Sequence, residues 1–219
     1  MPQLLVTLVG EGTSDEALLP IIEWTLKNPA LGLLPDVELL LRFVGPDDTP
    51  GMYDVIERAL ATVAELPCDL LFIHHDADGP THVRWSEIMR AAVLDARRRG
   101  NDVPPTVPVV PVREMEAWLL LDEAAIREAA GAPDGTMPLS LPRAAEIEAA
   151  PDPKAILRRA LRTASGLSQR RWPQIDAIRP DTIVGIMSSF EHLRALPAFQ
   201  AFEVDVRRVI AELGWPERL

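Results

Sequence analysis

The feature that most constrains the fold is an alternation of short apolar runs with longer segments of helical periodicity in the first 112 residues. The apolar runs cover residues 3–10, 37–45, 69–75 and 104–112, and the helical patterns between them cover 14–28, 52–66 and 84–100. Such alternation is typical of βαβ units, whose strands lie parallel. The sequence therefore predicts an α/β fold with a mostly parallel four-stranded sheet flanked by helices.

The fourth apolar run predicts an edge strand, because prolines at 105, 108 and 111 cannot donate ladder hydrogen bonds. Residues 114–131 then predict one helix that ends at Gly131. Beyond it, helical patterns separated by proline and glycine continue to residue 214 without a convincing strand. We therefore expect an α/β domain over residues 1–131 and a helical C-terminal region over 132–219, packed on it.

Composition limits the class of protein. The chain has 219 residues, 47% of them hydrophobic, which is enough for a packed core. No uncharged apolar stretch approaches the roughly 18 residues that a membrane span needs, and the N-terminus lacks a basic leader, so we expect a cytoplasmic protein without membrane association. The single cysteine, Cys68, excludes an internal disulfide and is expected to be a small core residue.

The net charge of -11 repels nucleic acid and argues against a simple DNA-binding module. It does not exclude a nuclease, because divalent cations can neutralise clustered carboxylates and because arginines are concentrated locally. Arginine clusters occur at residues 95–100, 156–162 and 168–172. Each of them can equally be a solvated helix face or a helix C-terminus favoured by its dipole.

Acidic residues follow three of the four predicted strands. Glu11 follows the first strand, Asp76 and Asp78 follow the third, and Glu114 and Glu116 follow the fourth. Residues two apart on a helix do not share a face, so at most one of these two glutamates is expected to join a site. Each acid alone has a simpler explanation, as a turn residue or a first-turn helix acid, and Asp-x-Asp-Gly is a common turn in which Gly79 would supply positive φ. Because ligands of parallel sheets bind at the carboxyl ends of strands, their coincidence favours a site for one or two metal ions.

The neighbours of these acids carry further expectations. Thr13 and Glu16 have the spacing of a capping box, which leaves Asp15 open for another role. His74 and His75 end the third run and point to opposite faces of a strand. We therefore expect one of them to be a hydrogen-bonded core histidine beneath a helix and not a metal ligand.

Together these residues resemble the Toprim domain, the catalytic fold of topoisomerases and primases. The resemblance lies in Glu11 of "VGEGTSDEALLP" and in Asp76 and Asp78 of "FIHHDADG". An acid four residues after the glutamate, Asp15, is similar to the branch shared with the overcoming-lysogenization-defect (OLD) nucleases. The stretches "VPVVPVREMEAWLLLDEAAIREAAG", "DPKAILRRAL" and "ASGLSQRR" are similar to an uncharacterised bacterial family of small, stand-alone Toprim-like proteins.

The resemblance implies a set of site residues and a cofactor. The metal ligands for Mg²⁺ or Mn²⁺ would be Glu11, Asp15, Asp76, Asp78 and Glu116. Toprim nucleases also use a basic residue near the scissile phosphate, and the candidates here are Arg84 and Lys154 for catalysis and Arg170 and Arg171 for phosphate binding. OLD proteins carry an ATPase domain in the same chain. Nothing here resembles a phosphate-binding loop, so a separate ATPase subunit would have to supply that activity.

Three functions follow as hypotheses. The first is a metal-dependent Toprim-like nuclease that hydrolyses phosphodiester bonds, with an ATPase partner, in defence against mobile DNA such as phage. The second is a non-catalytic metal-binding module that docks a partner through its helical C-terminal region. The third is a phosphatase or nucleotidyl-transfer enzyme that acts on a small phosphorylated substrate. The sequence leaves nucleic acid, an ATPase subunit and a second copy of the chain open as partners.

Overall fold

A computed structural model describes residues 2–28, 36–52 and 54–214. Residue 53 of the second predicted helix and residues 215–219 of the predicted C-terminal region lie outside the described residues. The chain divides into two compact units: unit one comprises residues 1–75, 82–110 and 200–219, and unit two comprises 76–81 and 111–199. The domain boundary predicted after residue 131 stays a prediction.

Unit one contains a four-stranded sheet. Its strands are β1 (Gln3–Val9), β2 (Glu38–Val44), β3 (Leu70–His74) and β4 (Thr106–Val109). They lie in the order β2-β1-β3-β4, and every neighbouring pair is parallel. The predicted α/β class with a four-stranded parallel sheet is confirmed, and so is the edge position that the prolines indicate for β4.

Helices connect and follow these strands. They are α1 (Leu19–Lys27), α2 (Val55–Glu65), α3 (Val83–Arg98), α4 (Glu116–Leu119), α5 (Glu123–Ala129), α6 (Ala144–Ile147), α7 (Pro153–Ser165), α8 (Trp172–Asp176), α9 (Pro180–Ile186) and α10 (Pro197–Glu212). Short 3₁₀ helices lie at Thr13–Leu18, Pro46–Asp48, Gln169–Arg171 and Glu191–Ala195. The first three α-helices belong to unit one, and α4 to α9 belong to unit two.

The central strand β3 organises the core of unit one. All five of its residues are buried, as expected for a parallel strand covered on both faces. Phe72 and His74 point to one face, where the Phe72 ring lies 6.1 Å from the ring of Phe202 in α10. His75 points to the opposite face, where it meets Trp85 of α3. The strand end therefore presents one histidine on each side of the sheet.

The start of the first helical segment differs from the capping box predicted with Thr13 and Glu16. Gly12 is the N-cap, and its N–H donates to Asp15 Oδ2 at 2.9 Å. The segment begins one residue earlier than predicted and as a 3₁₀ helix, because the chain turns directly after Gly10. Asp15, and not Glu16, therefore makes the capping contact.

Unit two consists of short helices with strong local end signals. Asp152 Oδ1 accepts the Ala155 N–H at 2.7 Å, Pro153 occupies the first position of α7, and Gly166 ends the helix with φ 61°.

The prediction of a single helix over residues 114–131 is wrong. Asp122 Oδ1 accepts the Ala125 N–H at 2.9 Å and starts a new helix there, so the segment forms α4 and α5.

Trp118 anchors the core of unit two. Its side chain is 1% exposed, and its ring lies edge-on to Phe199 at 5.2 Å in unit two. Cys68 in unit one is half-buried, in contrast to the core position expected for it. Burial raises the pKa of its thiol, and the hydrogen bond with Thr7 opposes that effect.

Candidate functional site

The carboxyl end of β1 holds Glu11 and Asp15 on one tight turn. An added side chain at Gly10 would place its Cβ 2.8 Å from both Cβ and Oδ2 of Asp15, so only glycine lets the turn close there. The Asp15 side chain is 9% exposed, whereas that of Glu11 is 37% exposed. The turn thus carries one buried and one accessible carboxylate.

Each of these carboxylates faces a histidine at the end of β3. Glu11 Oε2 lies 3.0 Å from His75 Nδ1, and Asp15 Oδ2 lies 3.6 Å from His74 Nε2. An ionised carboxylate only accepts hydrogen bonds. At 3.0 Å, His75 Nδ1 therefore carries a proton and donates a hydrogen bond to Glu11. The arrangement follows from the pairing of β1 with β3, which brings their carboxyl ends together.

His74 is the core histidine of the pair. Its side chain is fully buried, and its Nδ1 lies 3.0 Å from the carbonyl oxygen of Val109 on β4. A carbonyl only accepts, so Nδ1 carries the proton and Nε2 faces Asp15. The prediction of one hydrogen-bonded core histidine is confirmed.

Trp85 and Arg84 extend the Glu11–His75 pair on α3. The His75 and Trp85 rings stack with centroids 3.7 Å apart and an angle of 21° between their planes. Arg84 is exposed, and its guanidinium lies 5.9 Å from the centroid of the Trp85 ring. The stack fixes the plane of the imidazole that holds Glu11.

Arg58 of α2 was not predicted from the sequence, yet it holds the backbone of the same turn. It is 1% exposed, and its guanidinium donates to the carbonyl oxygens of Gly10 and Met52 and, at 2.9 Å, to Thr49 Oγ1. A signal for it exists in the sequence. Arg58 lies three residues after Val55 and four before Thr62, inside the buried stripe of the helix.

In unit two, Asp76 and Asp78 lie on a loop that bonds to residues 111–113. The Ala77 N–H donates to Pro111 O at 3.0 Å, and the Asp78 N–H donates to Arg113 O at 3.1 Å. Asp78 has φ 51°, so the backbone of this Asp-x-Asp segment is not extended. The positive φ expected at Gly79 belongs instead to Asp78.

Unit two also brings Glu116 together with Lys154. Lys154 Nζ lies 3.5 Å from Glu116 Oε1, and the Lys154 N–H donates to Glu114 Oε2 at 3.1 Å. Glu114 thereby caps the start of α7, and Glu116, which is 8% exposed, presents its carboxylate to the lysine. Of the two acids that open this segment, Glu116 has its carboxylate beside the Lys154 ammonium, whereas Glu114 is engaged with a backbone N–H.

The remaining predicted residues are the two arginines of the third arginine cluster, within residues 168–172. Arg170 and Arg171 lie exposed on the 3₁₀ helix before α8, and no hydrogen bond or ion pair joins them to another predicted site residue within the described ranges. Among residues 2–28, 36–52 and 54–214, no three histidine, cysteine, aspartate or glutamate side chains form a group that could hold a metal ion.

Comparison of the chain with protein-family models, curated proteins and solved structures gives no match. In the part of the chain that the structure describes, none of the helices combines the length and the apolar character needed to cross a membrane.

Proposed function

We propose that the protein is a divalent-metal-dependent phosphodiesterase of the Toprim type, that is, a nuclease. The observation that carries the proposal is the Glu11–His75 pair at the carboxyl ends of β1 and β3. Its 3.0 Å separation orients the carboxylate, while the 37% exposure of the Glu11 side chain leaves it within reach of an ion from solvent. A carboxylate that is both oriented and accessible is suited to a hard cation.

The chemistry of the donors fits Mg²⁺ or Mn²⁺. Magnesium is commonly bound through one or two carboxylates, with water and substrate phosphate completing its shell, so a group of three protein ligands is not required. Glu11 and Asp15 supply two carboxylates from one turn. On the sequence resemblance, Asp76, Asp78 and Glu116 remain the further proposed ligands.

The roles of the other residues follow from their contacts. A bound ion would activate water and stabilise the charge on the leaving oxygen. His75 orients Glu11 through its Nδ1 proton, and Arg58 fixes the backbone of the turn. Lys154, which is 58% exposed beside Glu116, can contact an anionic phosphate, as can Arg84 on α3. On the sequence resemblance, and not on a contact, Arg170 and Arg171 are proposed to bind phosphates farther along the nucleic-acid strand.

A second candidate is a non-catalytic module that binds a metal and docks a partner. The net charge of -11, which disfavours contact with nucleic acid, supports this alternative. The proposed ATPase subunit and the role in defence against mobile DNA rest on the sequence resemblance alone. A phosphatase or nucleotidyl-transfer activity would use the same carboxylates on a smaller substrate.

The deciding experiment measures nicking of supercoiled plasmid and cleavage of single-stranded DNA with Mn²⁺, Mg²⁺ or EDTA. We expect cleavage by the wild type that EDTA abolishes and that falls at least about 100-fold in Glu11→Gln and Asp76→Ala. Glu87→Gln, which alters an exposed acid of α3, is the matched control and should retain activity. Equal cleavage by wild type and Glu11→Gln would reject the proposal.

Metal binding is measured separately by calorimetric titration with Mn²⁺. Removing the histidine donor in His75→Ala should weaken binding about 10- to 100-fold, as for other residues that orient metal ligands. Metal binding without cleavage of any nucleic acid would favour the non-catalytic module. Phosphate release from nucleotides without DNA cleavage would favour the small-substrate enzyme.

A further inference from the structure

The outer edge of β2 is apolar and accessible. Within the described residues, β2 is an edge strand that pairs only with β1. Three leucines, Arg42 and Phe43 occupy positions 39–43; none of them is buried, and Leu40 is 41% exposed. A strand of seven residues with such side chains is a ready template for another strand.

The hydrogen-bonding groups of β2 alternate between β1 and the outer edge. The Glu38 N–H donates to Pro2 O, and the Gly10 N–H donates to Val44 O, so the even-numbered residues of β2 bond to β1. The N–H and C=O groups of Leu39, Leu41 and Phe43 therefore point away from the sheet. This edge offers three consecutive outward positions, each with both a donor and an acceptor.

The opposite edge of the sheet is built differently. The Leu71 N–H donates to Pro105 O and the His75 N–H donates to Val109 O, so the odd-numbered residues of β4 face β3. Pro108 consequently faces outward, and proline has no N–H to offer to another strand. The sheet thus has one edge that is blocked against strand addition and one that accepts it.

We propose that β2 pairs antiparallel with β2 of a second copy of this chain, with Leu40 of each copy on the two-fold axis. Leu39 then lies opposite Leu41 of the partner subunit, and these residues exchange the outward hydrogen bonds. Glu38 lies opposite Arg42 of the partner subunit at a non-hydrogen-bonded position, where side chains approach most closely. The two sheets become one sheet of eight strands.

Charge complementarity selects both the partner and the register. The outward N–H and C=O groups of one strand must lie opposite those of the other, so one strand can shift along the other only by an even number of residues. The other registers of this kind place Arg42 opposite either Leu40 or Arg42 of the partner subunit, or they place Glu38 opposite either Leu40 or Glu38 of the partner subunit. The proposed register joins unlike charges twice and buries the most exposed leucine of the strand against its own copy. A sequence that complements itself in this way fits a symmetric interface.

Sedimentation equilibrium of the full chain tests the association. We expect a wild-type dimer and a dissociation constant at least about tenfold higher for Leu40→Lys, which places two ammonium groups together on the axis. Leu94→Lys is the matched control, since Leu94 of α3 is 50% exposed and distant in the chain from β2. A monomeric wild type at about 100 μM, or equal weakening by both variants, would overturn the proposal.

Charge exchange tests the register, with circular dichroism to verify folding of each variant. Glu38→Arg and Arg42→Glu should each weaken the dimer by placing like charges opposite each other, and the double variant should restore it. Leu40→Cys should form an intermolecular disulfide on oxidation, because Cα atoms of a non-hydrogen-bonded pair lie about 4.5 Å apart. Leu94→Cys should not form one. If the dissociation constant of the dimer does not change with these charges, and Leu40→Cys forms no disulfide, the contact lies on another surface.

Discussion

The imidazole of His75 lies between two partners, with its ring stacked on Trp85 at 3.7 Å and its Nδ1 3.0 Å from Glu11 Oε2. The stack restricts rotation of the imidazole, and the imidazole in turn restricts the carboxylate. Because Trp85 is also on the first turns of α3, the position of this helix is linked to the orientation of the proposed metal ligand.

This contact predicts energetic coupling between the two rings. In a double-mutant cycle with His75→Ala and Trp85→Ala, we expect a coupling free energy of about 0.5–1.5 kcal/mol in urea unfolding, the range of stacked aromatic pairs. Trp85→Phe should retain part of it. Effects of the two substitutions that simply add would show that the rings do not support each other.

Gly10 and Gly12 should respond differently to the same substitution. Gly10→Ala should lower the free energy of unfolding by about 1–3 kcal/mol, because the new Cβ would lie 2.8 Å from Asp15. Gly12→Ala should cost less than about 1 kcal/mol, because the nearest atom is 3.7 Å away and its φ of -129° suits any residue. Chemical denaturation compares the two directly, and equal losses would contradict the packing described for this turn.

Arg58 should contribute strongly to stability through its hydrogen bonds to backbone carbonyls. Arg58→Met would leave the Gly10 and Met52 carbonyls without their buried donor, and we expect a loss of about 2–4 kcal/mol in urea unfolding. Arg99→Met is the control, because the Arg99 side chain, which pairs with Asp95 at the end of α3, is 75% exposed and its loss should cost less than about 0.5 kcal/mol. Similar losses in both variants would argue against a special role for Arg58.

His192 should make the protein less stable in mild acid. Burial lowers the pKa of the His192 imidazole, and the Asp122 carboxylate opposes that shift. The unfolded chain, with the ordinary pKa of about 6.5, therefore binds a proton more readily than the folded protein does. This contribution to stability is present above that pH and is lost as the pH falls toward the lower folded pKa. Urea unfolding at pH 7.5 and 5 should show a smaller pH effect in His192→Gln, and an equal effect would contradict the assignment.

The parts of the fold that could be predicted depend on local signals. Short apolar runs identified β1 to β4, and the prolines identified β4 as an edge strand, because a missing N–H acts at its own position. The conformation of Asp78 could not be predicted, because its φ of 51° accompanies a hydrogen bond to Arg113, a residue far along the chain. Asp122 carried a cap signal that helical periodicity on both sides concealed.

The candidate site shows the same division between local and distant contacts. Glu11 and Asp15 could be placed at a strand end from the sequence, and one of His74 and His75 could be expected in the core, although the sequence did not say which. Their pairing with specific histidines required the register of β1 with β3, which the sequence does not specify. Arg58 was missed because an arginine on a helix is ordinarily solvated, and only its place within the buried stripe distinguishes it.

With copies joined through β2 as proposed, Pro108 would limit how many of them can assemble. A sheet that could pair through both edges could add copies indefinitely and grow into a fibre. A sheet that can pair only through β2 has no free pairing edge left once two copies have joined. One outward-facing proline on β4 would thus confine association to two copies, and its replacement by a residue with an N–H would open a route to polymerisation.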